Sequence, residues 1–74
     1  MSTEFEIWDS RSHNLLQFES LEEAIRALRT LVRSNGEDAV IGLSLDAVTS
    51  DGHQRMTLAE DRALLSLVSV TAPA

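Results

Sequence analysis

The chain holds two histidines, His13 and His53, each in a polar run that also carries an aspartate. Asp9-Ser10-Arg11-Ser12-His13-Asn14 and Thr49-Ser50-Asp51-Gly52-His53-Gln54 read as turns between strands, with Asp51-Gly52 a local signal. In the sheet order derived below, both turns are expected at one end. There His13, His53, Asp9 and Asp51 would offer the imidazole-plus-carboxylate donors that zinc and related ions accept. No HExxH-type spacing supports a metal, and polar turns use Asp and His for backbone geometry and solvation. The expectation is therefore no metal and no other cofactor. Cysteine is absent, which removes thiolate zinc sites and disulfides together.

Other reaction chemistry is equally thin. General acid–base work needs carboxylates converging in a pocket with shifted pKa values. A 74-residue chain with short strands has little room for such a cleft. Glu4, Glu6, Glu22 and Glu23 read as solvated. There is no GxSxG turn for a nucleophile, and Gly36, Gly42 and Gly52 are too dispersed to cradle a phosphate. No catalytic residue is assigned and no enzyme is expected.

All six basic residues are arginines. Arg26, Arg29 and Arg33 recur at helical spacing with Glu22, and forked guanidinium groups bind phosphate or acidic partners bidentately. Against that, Glu22 to Arg26 is the favoured i,i+4 order of a solvated ion pair, worth a few tenths of a kcal/mol. The net charge of −6 opposes nucleic acid and anionic membranes, which call for a positive field. Phosphate or nucleic-acid binding through the stripe is thus the second function considered, behind interaction with protein.

These residues are positioned by one long helix and two hairpins. Ser20 with Glu23 three residues on is a capping box. Glu22 and Glu23 fall in the first turn and Arg33 in the last, as the helix dipole favours. Asn35-Gly36 supplies the left-handed stop. At about 100° per residue, Leu21, Ala24, Ile25, Ala27, Leu28, Leu31 and Val32 gather on one side, which must be covered. Before the helix, Glu4–Asp9 and Leu15–Glu19 alternate as a hairpin. Phe5 and Ile7 share one face, and Glu4, Glu6 and Trp8 the other. After it, Ala39–Val48 alternates, with Val40, Gly42, Ser44, Asp46 and Val48 on one side. Arg55–Ala59 follows with Met56 and Leu58 inward. Glu60–Val70 is read as a short helix opened by Glu60-Asp61, although Leu65–Val70 also fits a strand. Residues 71–74 are expected to fray.

One domain is the only reasonable count. The fold class is α+β, β-β-α-β-β. Its four-stranded antiparallel sheet has order 2-1-3-4, with the helix on one face and no second layer on the other. By this layout, and by Trp8-Asp9, Asn14, Phe18 and Glu22-Glu23-Ala24, the chain resembles short uncharacterised bacterial proteins of hairpin–helix–hairpin form. The resemblance implies a fold and no activity. A looser likeness is to antitoxin partners of toxin–antitoxin pairs, many of which carry a basic DNA-binding segment that this chain lacks.

The N-terminus lacks the apolar core of a secretory signal, and no apolar run approaches the ~18 residues of a membrane span. A cytoplasmic protein without membrane contact is expected. A core this small, without disulfide or metal, is marginal unless packing is good or copies associate. Trp8 falls opposite Phe5 and Ile7 with Leu15 as its cross-strand companion, and Trp is enriched at interface centres. The reading is a non-enzymatic interaction module, a homodimer whose surface comprises Trp8, Leu15, Val40 and Val48. The C-terminal segment folding beneath the sheet to cover Trp8 is the other use of that face.

Overall fold

In the computed structural model, residues 3–49 and 51–71 are described, without the side chains of 69–71. The first helix, α1, spans Leu21–Asn35. Ser20 remains extended, and its hydroxyl accepts a hydrogen bond from the Glu23 N–H at 3.1 Å. Its carbonyl accepts from the Ala24 N–H at 3.2 Å. Ser20→Ala should therefore lower stability by about 1 kcal/mol. A urea or thermal midpoint that does not move would show that the first turn is held by other groups. At the other end Gly36 takes φ +89° and donates its N–H to the Val32 carbonyl at 2.7 Å. That left-handed conformation is open to glycine and strained for other residues.

The strands are β1 Thr3–Asp9, β2 Asn14–Phe18, β3 Leu43–Thr49 and β4 Arg55–Glu60. They form one antiparallel sheet in the order β2-β1-β3-β4. The register sets Phe5 against Phe18 and Ala47, and Ile7 against Leu16 and Leu45. These residues line the helix side. A second helix, α2 Ala63–Thr71, resolves the ambiguous C-terminal segment as helix. Thr71 belongs to it, so the fraying expected there does not begin at that residue, while positions 72–74 lie outside the described residues.

Both helices lie on the same side of the sheet. α1 sits over β1 and β2, and α2 packs beside it near β4. Leu64 of α2 is fully buried with Ile7, Ala24, Leu28, Val40, Leu43 and Leu45. The shortest Cα dimension is 16 Å, enough for two layers. The described part of the C-terminal segment therefore does not fold beneath the sheet over Trp8.

Two departures from the alternation pattern have local causes. Glu37–Val40 forms a 3-10 turn, closed by hydrogen bonds from Ala39 N–H to the Gly36 carbonyl and from Ile41 N–H to the Asp38 carbonyl, 3.1 Å each. β3 therefore starts at Leu43, after Gly42 redirects the chain with φ +88°. A Cβ on Gly42 would lie 3.1 Å from Arg11 Cγ, so that loop packing also favours glycine. In β4 the register shifts between Leu45 and Asp46, with Leu45 opposite Ala59 and Asp46 opposite Thr57. This bulge leaves Leu58 without a cross-strand partner. Ala59, instead of the expected Leu58, takes the inward place beside Leu45. Met56 faces the helix side as expected but remains exposed.

Candidate functional site

The helix-free sheet face is built from alternate residues of the four strands. Across it run Trp8 opposite Leu15 and Ser44, Glu6 opposite Gln17 and Asp46, and Glu4 and Arg55 opposite Val48. Trp8 is 37 % and Leu15 45 % exposed. The Trp8 ring tilts against His13, with centroids 6.0 Å apart, and His13 adopts a positive φ of 58° in the hairpin turn. Trp8, His13 and Leu15 thus make an aromatic and apolar corner where β1 turns into β2.

The other two members of the expected surface do not join that corner. Val40 is 0 % exposed in the core beneath α1, because the 3-10 turn displaced it from the sheet. Val48 does face the helix-free side, but it is buried. The exposed contact surface is reduced to Trp8 and Leu15.

The centre of the face is polar, contrary to the expectation that Glu6 is solvated. Glu6 and Asp46 are direct cross-strand partners, with side chains 7 % and 9 % exposed. Arg55 bridges them, donating Nη2 to Glu6 Oε1 at 2.6 Å and Nη1 to Asp46 Oδ2 at 2.7 Å. Gln17 Nε2 donates to Glu6 Oε2 at 3.1 Å. Hydrogen bonds to Asp46, then Glu6, hold the guanidinium pKa above its ordinary value, so Arg55 stays charged. Asp46 Oδ1 is buried without a hydrogen-bond partner among the described residues. Asp46, the single charge in the strand Leu43–Thr49, was the available signal for this cluster.

The two histidine turns lie at opposite ends of the sheet, which corrects the expectation that they converge. The β1–β2 turn follows Asp9, whose β3 partner is Leu43, whereas the β3–β4 turn follows Thr49, the partner of Thr3. A strand of this length separates them by about 20 Å. Each aspartate serves its own turn. Asp9 accepts from Ser12 Oγ and Arg11 N–H, both at 2.9 Å, and these bonds hold its pKa below the usual carboxylate value. Asp51 is lowered in the same way by Thr49 Oγ1 and the His53 N–H. Among the described residues no three His, Cys, Asp or Glu side chains gather as a metal site.

The arginine stripe lies along one flank of α1. Arg26 Nη2 is 3.6 Å from Glu22 Oε1, and Arg29 is half-buried beside Leu21 and Ile25. No described helix is long and apolar enough to cross a membrane. No protein family, curated protein or solved structure matches the chain at a significant level. The likeness to short bacterial proteins therefore rests on the residues quoted for it alone.

Proposed function

We propose that this chain is a small non-enzymatic protein-interaction module that self-associates in the cytoplasm of a bacterial cell. The observation that carries the proposal is the exposed Trp8–Leu15 cross-strand pair on a sheet face that neither helix covers. A Trp and a Leu side by side at the surface lose water-exposed apolar area when a partner arrives, and a symmetric dimer is the commonest partner. Phosphate binding by Arg26, Arg29 and Arg33 has weaker support. Arg26 already lies near Glu22, Arg29 is half-buried, and the net charge is −6.

Light scattering after size exclusion at micromolar concentration tests the reading. The wild-type chain should run at twice its 8.1 kDa, and Trp8→Ser should shift it toward the monomer. Trp8 is the single tryptophan, so its emission should move to longer wavelength on dilution. A wild type that is monomeric throughout, with unchanging Trp8 emission, overturns self-association.

A further inference from the structure

We propose that the dimer forms by antiparallel pairing of β2 with β2 of a second copy, giving one eight-stranded sheet with the two α1 helices packed across the dyad. This rests on the self-association reading and sets the seam at the β2 edge, with Leu15 beside it and Trp8 one strand back. An edge strand presents unpaired N–H and C=O groups, and proteins guard such edges with charges, bulges or short length. The two edges here differ. β4 carries Arg55 and Glu60 and is bulged opposite Leu45 and Asp46. β2, Asn14–Phe18, has no charge and no bulge, and Leu16 on it is 55 % exposed. In a chain of net charge −6, an uncharged edge is where two copies approach with least repulsion.

The helix layer fits the same operation. α1 lies over β1 and β2, so its axis stands about one strand spacing, ~4.8 Å, from a dyad beyond β2. Two α1 axes would then lie about 10 Å apart, within the range at which helices pack. α2 flanks α1 on the β4 side. On the β2 side Ala27, Leu28 and Leu31 line an open, mainly apolar groove with Leu16, bounded at one end by Asp9 and Asn14.

Full overlap of a five-residue strand with itself puts Leu16 opposite its own copy at the dyad. Because Leu16 shares the groove with Ala27 and Leu31, the dyad passes beside α1 at the level between those two residues. Glu23, one turn before Ala27, would then face Asn35 of the other helix, one turn after Leu31. The middle of the seam is made of small and apolar side chains, Glu23, Arg26 and Thr30 lie toward its end beside Phe18, and the pairing sets Glu23 against a neutral Asn35. A second copy of this chain therefore matches the groove in register, and brings an uncharged strand to it.

Leu16→Lys places a charge at the dyad and should return the protein to 8.1 kDa with an unchanged circular dichroism spectrum. The chain has no cysteine, so a single Leu16→Cys variant can form a disulfide only between copies. Under mild oxidation it should cross-link to completion, while Met56→Cys on β4 should cross-link slowly. Equal cross-linking of the two variants overturns edge pairing. So does a Leu16→Lys protein that remains dimeric, and if that dimer is lost on Trp8→Ser, self-association stands and runs through the sheet face. A monomeric wild type overturns both readings.

Discussion

Leu28→Ala should destabilise the protein by about 2–5 kcal/mol, the range for truncating a buried leucine. Leu28 is 1 % exposed and packs with Ile7, Ala24, Val40, Leu43, Leu45 and Leu64. It therefore belongs to the cluster that joins the sheet, the 3-10 turn and α2, where truncation leaves a cavity. For 74 residues a total stability of about 4–11 kcal/mol is typical, so this one change removes a large fraction of it. Urea unfolding should show a lower midpoint with unchanged slope. Leu21→Ala, on the same helix but partly exposed, is the internal comparison and should cost far less. Equal losses at the two positions would mean that α1 does not bury the face described.

The features legible from sequence were those carried by local chemistry. Ser20, Asn35-Gly36 and the 3.6-residue spacing of Ala24, Ile25 and Leu28 define α1 without reference to the rest of the chain. Alternation in β1 and β2 fixed the hairpin and put Leu15 opposite Trp8. The sheet order followed because a short helical crossover leaves β3 parallel to β2, and β1 is then the strand that separates them. What escaped was decided by contacts distant in sequence. Val40 keeps step with the alternation of β3, yet Gly36 and Gly42 on either side let the intervening residues coil under α1. Leu58 keeps step with β4, but a one-residue bulge, which alternation cannot reveal, hands its place to Ala59. The end at which each turn lies depends on strand direction, and antiparallel β1 and β3 carry His13 and His53 apart. The Glu6–Arg55–Asp46 bridge needs three strands in register before it exists, so Glu6 taken alone reads as solvated.

That bridge is the basis of the second large effect: Arg55→Met should destabilise the protein severely. Glu6 and Asp46 face each other on adjacent strands, an arrangement that is unfavourable for like charges unless a cation lies between them. Removing the cation strands two carboxylates whose side chains are 7 % and 9 % exposed. Leaving a buried charge unpaired is costly, and the half-exposed Arg55 side chain lets water offset part of that cost. Methionine retains much of the unbranched stem, so the loss would report the charge more than the packing. Glu6→Gln with Asp46→Asn in the Arg55→Met background should recover most of the stability, because neutral amides at the same positions no longer repel. The recovery, measured by urea unfolding of the four proteins in the cycle, is a coupling energy that separates charge from shape. Loss without recovery would assign the role of Arg55 to its stem packed on the sheet. An unchanged midpoint in Arg55→Met would mean that water reaches Glu6 and Asp46 from the open face and solvates them there. Recovery would show that the helix-free face is pinned at its centre by charge. Its exposed apolar area would then be confined to the Trp8–Leu15 corner beside β2.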